Sequence, residues 1–209
     1  FFINSNSAFF TVIGPLGKWK IGGKIESSED LNLNQRFKSK SGVFGLKGDR
    51  RNNRWLPYRG SFWEWNLSYG ELNDFLGNTQ VAELYLSIEK YKSLDNSVLF
   101  LSLFGQRNWV DNRSLNLSKA IKFGGSKLLR GYHENQFYTD RAFIQTTEWI
   151  FGPLDRTQLF LFADIPYTSS LKIKPGYGFG IRQYNGSLSY NISLGFPGSL
   201  SDGKIHISF

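Results

Sequence analysis

The chain has no cysteine, no methionine and only two histidines among its 209 residues. The absence of cysteine excludes a disulfide framework and any metal site with thiolate ligands. Long apolar runs are missing as well, since no window approaches the roughly 18 consecutive apolar residues that a transmembrane helix needs. A helical membrane protein is therefore excluded. The length fits one large all-β domain, expected to span residues 1–209.

Aromatic residues and glycines are abundant instead. The chain is 17% aromatic and has 22 glycines, yet 20% of its residues are charged and its mean hydropathy is −0.33. This combination is typical of a transmembrane β-barrel, because only every second strand residue faces lipid while the others face a polar lumen. One clear stretch alternates the apolar Trp63, Trp65, Leu67 and Tyr69 with the polar Glu64, Asn66 and Ser68.

Eleven segments have strand composition, most of them with this alternation. They are Ala8 to Ile13, Lys18 to Glu26, Phe37 to Lys47, Trp63 to Tyr69, Ala82 to Glu89, Ser97 to Gln106, Ala142 to Phe151, Thr157 to Ile165, Tyr177 to Tyr184, Ser187 to Phe196 and Lys204 to Phe209. Single-chain bacterial barrels almost always have an even number of strands. The sequence therefore predicts an all-β, antiparallel transmembrane β-barrel of about 12 strands, or the C-terminal portion of a larger barrel. Ten strands, or eight with the first ~50 residues folded elsewhere, are the alternatives, and the strands within residues 1–36 are the least distinct.

The connections alternate between short and long. The short links are Gly14 to Gly17, Gly48 to Asn53, Lys92 to Asp95, Gly152 to Arg156 and Tyr184 to Gly186. The longer links are Ser27 to Arg36, Glu71 to Asn78, the segment 107–141, Tyr167 to Pro175 and Pro197 to Gly203. Short turns on the periplasmic side and long loops outside are typical of outer-membrane barrels. The segment 107–141 is therefore expected to be a long extracellular loop.

A motif lies in this long loop. Gly124 and Gly125 precede the run Leu129-Arg130-Gly131-Tyr132, which resembles the Gly-Gly…(Val/Leu)-Arg-Gly-(Phe/Tyr) motif of the BamA/TamA-type outer-membrane assembly superfamily, also called the surface-antigen family. The segment from Asp49 to Gly60 resembles the family's Asp-x-Arg-x-Asn…Pro-x-x-Gly turn, and five predicted strands follow the loop, as the family requires. The chain closes on Gly203, Ile205, Ile207 and Phe209, similar to the family's C-terminal signal strand.

The resemblance, over roughly residues 37–209, implies that the loop folds into the lumen and that Arg130 meets Glu148 and Asp164 on the inner wall. A guanidinium binds carboxylates bidentately and stays charged, so it can lock a loop in place. Asp164 shares its strand face with Phe160 and Phe162, a face less polar than a lumen wall should be. Such an ion cluster either simply closes the barrel or moves during transport, and the sequence leaves both open.

The resemblance also implies a function. It predicts a barrel in the bacterial outer membrane that inserts or transports proteins, with outer-membrane lipids, lipopolysaccharide, and unfolded barrel clients or secreted proteins as partners. The alternatives are a minimal structural or small-pore barrel of the same family without insertase activity, and a barrel joined to an upstream enzyme or receptor domain. No segment resembles the periplasmic POTRA domains that receive clients in the assembly members, so a barrel without POTRA domains is expected.

Other functions have little support. The net charge of +8 comes from basic residues spread over strands and loops, with no helix or stacking platform to present them, so nucleic-acid binding is not expected. An anionic lipopolysaccharide surface or a cation-rich lumen explains the charge better. His133 and His206 have no second histidine at ligand spacing, so no metal and no cofactor are expected. No serine is tied to His133 by spacing, and neither catalytic residues nor enzymatic activity are predicted.

Overall fold

The computed structural model describes residues 2–30, 35–111, 119–152, 156–168, 171–186 and 188–208. Its strands are β1 (Phe2–Gly14), β2 (Gly17–Asp30), β3 (Gln35–Asp49), β4 (Gly60–Asp74), β5 (Gly77–Ser93), β6 (Ser97–Val110), β7 (Ile121–Phe123), β8 (Phe137–Thr139), β9 (Arg141–Phe151), β10 (Thr157–Thr168), β11 (Gly176–Tyr184), β12 (Ser189–Pro197) and β13 (Lys204–Ser208). A short 3-10 helix, Leu200–Asp202, precedes β13. Over the described ranges, no helix has both the length and the apolar character needed to cross a membrane.

One antiparallel sheet contains eleven of these strands, in the order β1-β2-β3-β4-β5-β6-β9-β10-β11-β12-β13. Each of the eleven predicted strands overlaps one of them, so the prediction of an all-β antiparallel fold is confirmed. The count is one below the predicted twelve. The alternative of eight strands with the N-terminal part elsewhere is wrong, because β1, β2 and β3 pair in register within the same sheet. The ten-strand alternative is wrong because eleven strands pair in one sheet over the described residues.

The sheet has an inner and an outer face, as the alternating sequence predicts. On β10, Phe160 and Phe162 are buried, while Leu159 and Leu161 between them are exposed. The inner face curls around an interior. The contact between the β3–β4 turn and a strand far away in the sheet shows this curl. The Pro57 carbonyl of this turn accepts a hydrogen bond from Gln158 on β10 at 3.4 Å.

Several connections differ from those predicted. The expected long link Ser27 to Arg36 is shortened, because β2 runs to Asp30 and β3 begins at Gln35. The expected loop Glu71 to Asn78 is mostly strand, because β4 runs to Asp74 and β5 begins at Gly77. The ladder continues there through the pair Leu72↔Thr79, and Leu72 is buried on the inner face. The expected short turn Gly48 to Asn53 is longer than predicted and spans residues 50–59. Hydrogen bonding along the hairpin, which local composition does not reveal, sets these boundaries.

The segment 50–59 folds inward rather than forming a simple surface turn. Asn52 Oδ1 accepts hydrogen bonds from the backbone N–H groups of Tyr58 and Arg59, at 3.1 and 2.9 Å. Such side-chain acceptors fix compact turns. Leu56 is completely buried. Tyr58 packs against an interior cluster of Tyr91, Val98, Phe100, Ile150, Phe160 and Phe162. The turn therefore covers this end of the interior.

Candidate functional site

Two glycines with positive φ shape the tip of the long loop. Gly124 and Gly125 have φ values of +113° and +93°, which a residue with a side chain rarely adopts. The N–H of Gly125 donates to the carbonyl of Leu129 at 2.9 Å, and the N–H of Ser126 donates to the Glu134 carboxylate at 2.6 Å. Burial raises the pKa of Glu134, but the hydrogen bonds from Ser126 outweigh it and the pKa is lowered. The tip is thus a compact hydrogen-bonded turn.

Apolar residues of the loop anchor it to the inner wall. Ile121 and Phe123 of β7 pack with Leu129 against Ala142 and Ile144 of β9, and all five are buried. Fully burying a side chain of this size stabilises by roughly 1.5–3 kcal/mol. Phe123 also contacts the Phe137 ring of β8, with centroids 5.3 Å apart. Hydrophobic packing therefore brings the loop to the wall, and the adjacent Arg130 is positioned by it.

Arg130 binds both acids that the family resemblance implied. Its Nε and Nη2 donate to Asp164 Oδ2 and Oδ1 at 2.9 and 2.8 Å, and its Nη1 donates to Glu148 Oε1 at 2.6 Å. The backbone N–H of Arg130 also donates to Asp164 Oδ2, at 2.9 Å. All three side chains are buried. The two parallel hydrogen bonds to Asp164 fix the orientation of the guanidinium as well as its position.

The phenylalanines beside Asp164 explain why this inner face is less polar than expected. The Arg130 guanidinium carbon lies 3.6 Å from the Phe162 ring centroid and 5.7 Å from that of Phe160. A cation over an aromatic face is attracted by the ring quadrupole, more strongly when desolvated. The inner face of β10 therefore supplies both the carboxylate and the stacking surface for one guanidinium.

A second arginine, which the sequence analysis did not single out, completes the cluster. Arg182 of β11 donates from Nη2 to Glu148 Oε2 at 3.0 Å, and its guanidinium carbon lies 4.7 Å from the Phe160 centroid. Two cations thus face two carboxylates, which offsets the cost of burying the charges. Burial lowers the pKa of Arg130, but Glu148 and Asp164 raise it by more than burial lowers it. The net shift of the pKa is upward, so the loop arginine stays charged.

Gly131 brings the loop backbone against the last strands of the sheet. Its φ is +95°, and a Cβ there would lie 2.8 to 3.0 Å from backbone atoms of Phe196 and Pro197. Its N–H donates to Nε2 of His206 on β13 at 2.9 Å, and the pair is buried. Next to it, the hydroxyl of Tyr132 donates to the Lys174 carbonyl at 2.9 Å. The motif therefore contacts β10, β12 and β13 at once.

The C-terminal strand presents its apolar residues outward. Ile205 and Ile207 are 70% and 56% exposed, while His206 between them points inward. β13 pairs with β12 from Gly195↔Lys204 to Asn191↔Ser208. Gly203 precedes the strand and lies against Phe196, whereas the predicted signal residue Phe209 lies outside the described residues.

The loop has a second ionic anchor, which the sequence analysis also missed. Nζ of Lys119 lies 2.8 Å from Glu26 Oε2 on β2 and 2.7 Å from Glu83 Oε1 on β5. Nδ2 of Asn108, near the end of β6, donates a hydrogen bond to the Lys119 carbonyl at 2.6 Å. Burial lowers the pKa of Lys119, but the two carboxylates raise it overall. Because these residues are far apart in the chain, no sequence spacing indicates the contact.

Comparison with known proteins agrees with this arrangement. A family model described as the Omp85 superfamily domain matches residues 21–165, more than half of the chain. The matched range contains the turn 50–59, the loop motif and both carboxylates that bind Arg130. No curated protein matches the chain significantly. Proteins of the matched family are outer-membrane proteins of bacteria. With the family model, the antiparallel sheet and the docked arginine loop all in agreement, the chain belongs to the Omp85 superfamily.

Proposed function

We propose that the chain forms a barrel in the bacterial outer membrane that inserts or transports proteins, with unfolded barrel or secreted proteins as its clients. It acts without enzymatic chemistry, cofactor or nucleic acid. The observation that carries the proposal is the arginine loop of an Omp85 chain, docked on the inner wall and hydrogen-bonded to the last strand. Assembly and translocation are the general roles of this superfamily.

The edges of the sheet offer a place for a client. β13 has only five residues and pairs with β12, and no pairing joins β13 to β1 anywhere in the described part of the chain. Edge strands present unpaired backbone N–H and C=O groups that template an incoming strand. A short edge strand exchanges partners more readily than a long one, because fewer hydrogen bonds must break. β13 is therefore the strand that a client displaces or extends.

The loop is connected to this edge. Arg130 binds β9 and β10, and the next residue, Gly131, donates its N–H to His206 of β13. Release of the arginine therefore also removes the inward anchor of β13. This link favours a loop that moves during transport over one that only closes the lumen.

A second candidate function is a minimal structural or small-pore barrel without insertase activity. The inward turn 50–59 favours it, because Leu56 is fully buried and Tyr58 packs against the interior aromatic cluster. The second anchor at Lys119 also fixes the loop across the interior. In this case the ion clusters are purely structural, and clients have no route to the edge.

Reconstitution into liposomes separates the two candidates. We expect vesicles that carry the chain to accelerate folding of an unfolded barrel client over vesicles that carry an unrelated barrel of similar size. His206→Ala removes the inward anchor of β13, so it should raise this acceleration severalfold. The chain should stay folded, since one unpaired buried N–H costs only about 1–3 kcal/mol. His206→Gln, which keeps an acceptor, should stay closer to the wild type. Equal client folding with the chain and with the unrelated barrel would reject insertase activity and favour the minimal barrel.

A further inference from the structure

A groove with a volume of about 640 Å³ lies on the outer face of β1 to β4. Its floor is a cross-strand row of small residues in register, Ala8↔Gly23 and Gly23↔Gly42, and the row ends at Tyr69. These residues belong to the outward face, because Ser39 and Val43 of β3, on the opposite parity, are buried inside. The groove is therefore distinct from the loop site in the interior.

The two floor glycines have no packing reason within the protein. A Cβ at Gly23 would meet only the Ser41 carbonyl oxygen, at 3.9 Å, and one at Gly42 only that of Tyr69, also at 3.9 Å. By contrast, a Cβ at the inward Gly45 would lie 2.8 Å from the Trp65 carbonyl oxygen. Glycine inside a strand weakens it and often marks the close approach of a ligand. Gly23 and Gly42 thus leave space for something outside the chain.

The groove is apolar along one side and basic at one end. Next to the floor runs a row of exposed apolar side chains in register, Phe10, Ile21, Phe44 and Leu67. At the other side Lys40 lines the groove together with Glu71. Lys38, the next outward residue of β3, is exposed beyond Lys40. The two ammonium groups belong to positions roughly 6–7 Å apart along the strand. The groove therefore offers an apolar surface to a hydrocarbon chain and two lysines to an anionic group of the same ligand.

We propose that this groove binds lipopolysaccharide, with an acyl chain over Gly23 and Gly42 and a lipid phosphate at Lys38 and Lys40. The inference rests on the proposed outer-membrane location. The basic end of the groove lies on the side of the sheet opposite the inward turn 50–59, since β3 runs from Gln35 to that turn. This side faces the outer leaflet if the long loop is extracellular. Lipopolysaccharide, rather than a phospholipid, is the phosphate-bearing lipid of that leaflet.

Binding is measured with the full chain, folded in a neutral detergent, by titration against fluorescently labelled lipopolysaccharide and against phosphatidylglycerol. The charge variant Lys38→Gln/Lys40→Gln has a matched control in Lys90→Gln/Lys92→Gln. These two lysines are also exposed on the outer face, near the C-terminal end of β5 and far from the groove. The groove-filling variant Gly23→Leu/Gly42→Leu has its control in Gly105→Leu. There a Cβ makes ordinary contacts with Phe143 and Leu86, at 3.6 and 3.8 Å.

The wild-type chain is expected to bind lipopolysaccharide more tightly than phosphatidylglycerol. The charge variant should weaken that binding by about tenfold, since basic residues near an anionic lipid surface each contribute severalfold. The groove-filling variant should weaken it as well, because its leucine side chains take up the space over Gly23 and Gly42. Both controls should bind as the wild type does. Equal binding of the two lipids, unchanged binding by both groove variants, or no binding by a folded chain would overturn the lipopolysaccharide site and leave the proposed function intact. A chain that is soluble without detergent contradicts both proposals.

Discussion

Arg130→Ala is expected to lower the free energy of unfolding of the folded chain by roughly 3–5 kcal/mol, because removing one partner of a buried ion pair leaves the other charge uncompensated. Here the substitution leaves Asp164 without its bidentate partner and Glu148 with Arg182 alone. The stacking on Phe162 is lost as well. Urea unfolding of the chain in detergent micelles, followed by tryptophan fluorescence, measures the change.

Three further variants separate the ionic contribution from general disruption. Arg182→Met leaves both carboxylates bound to Arg130, so its effect should be clearly smaller than that of Arg130→Ala. Arg130→Lys keeps the charge but loses the paired hydrogen bonds, and it should be intermediate. The double variant Arg130→Met/Asp164→Asn removes the uncompensated charge and should recover part of the loss. Equal losses for Arg130→Ala and Arg182→Met would mean that Arg130 has no special place in the cluster.

Gly131→Ala is the second substitution with a large expected effect. At φ +95° an alanine is strained, and its Cβ would press on the backbone of Phe196 and Pro197. We expect a loss of about 2–5 kcal/mol from strain and overpacking together, with the loop undocked from β12 and β13. Limited proteolysis with trypsin reports the undocking, because Arg130 is buried in the docked loop and becomes a cleavage site when released.

Gly77→Ala is the matched control for Gly131→Ala. Gly77 has a similar φ of +101°, but a Cβ there meets nothing within 4 Å. It should lose only the roughly 1–2 kcal/mol of the left-handed conformation, with no new tryptic cleavage at Arg130. If the two variants behave alike, the contact between Gly131 and β12 does not matter for docking.

The strands were predictable because their chemistry repeats every second residue. An inward Phe160 or Ser68 and an outward Leu161 or Tyr69 are sorted by parity alone. Strand ends were not, because they depend on the partner: Leu72 continues the ladder opposite Thr79 although its neighbours are polar. The inward folding of the turn 50–59 was likewise missed. The apolar Leu56 within a polar turn was the available signal.

The arginine loop was expected to meet Glu148 and Asp164 only because its motif resembles a known family. The sequence did not reveal which other residues contact this cluster or the loop. Arg182 shares the inward parity of β11 with Gly178 and Gly180, whose missing side chains leave room for the rings of Phe162 and Phe160. That Gly-x-Gly-x-Arg pattern was a usable signal. Lys119 had none, since Glu26 and Glu83 reach it only through the curl of the sheet.

Hydrogen exchange at the backbone amides of Arg130 and Gly131 tests the docked loop most directly. In the structure these N–H groups donate to Asp164 and to His206, both in buried positions. We predict that both amides in the folded wild-type chain exchange as slowly as those of β9 and β10, and that Arg130→Ala speeds exchange at Gly131 and in β13 together. Rapid exchange at both amides in the folded wild type, with β9 and β10 protected, would contradict a loop locked to the inner wall.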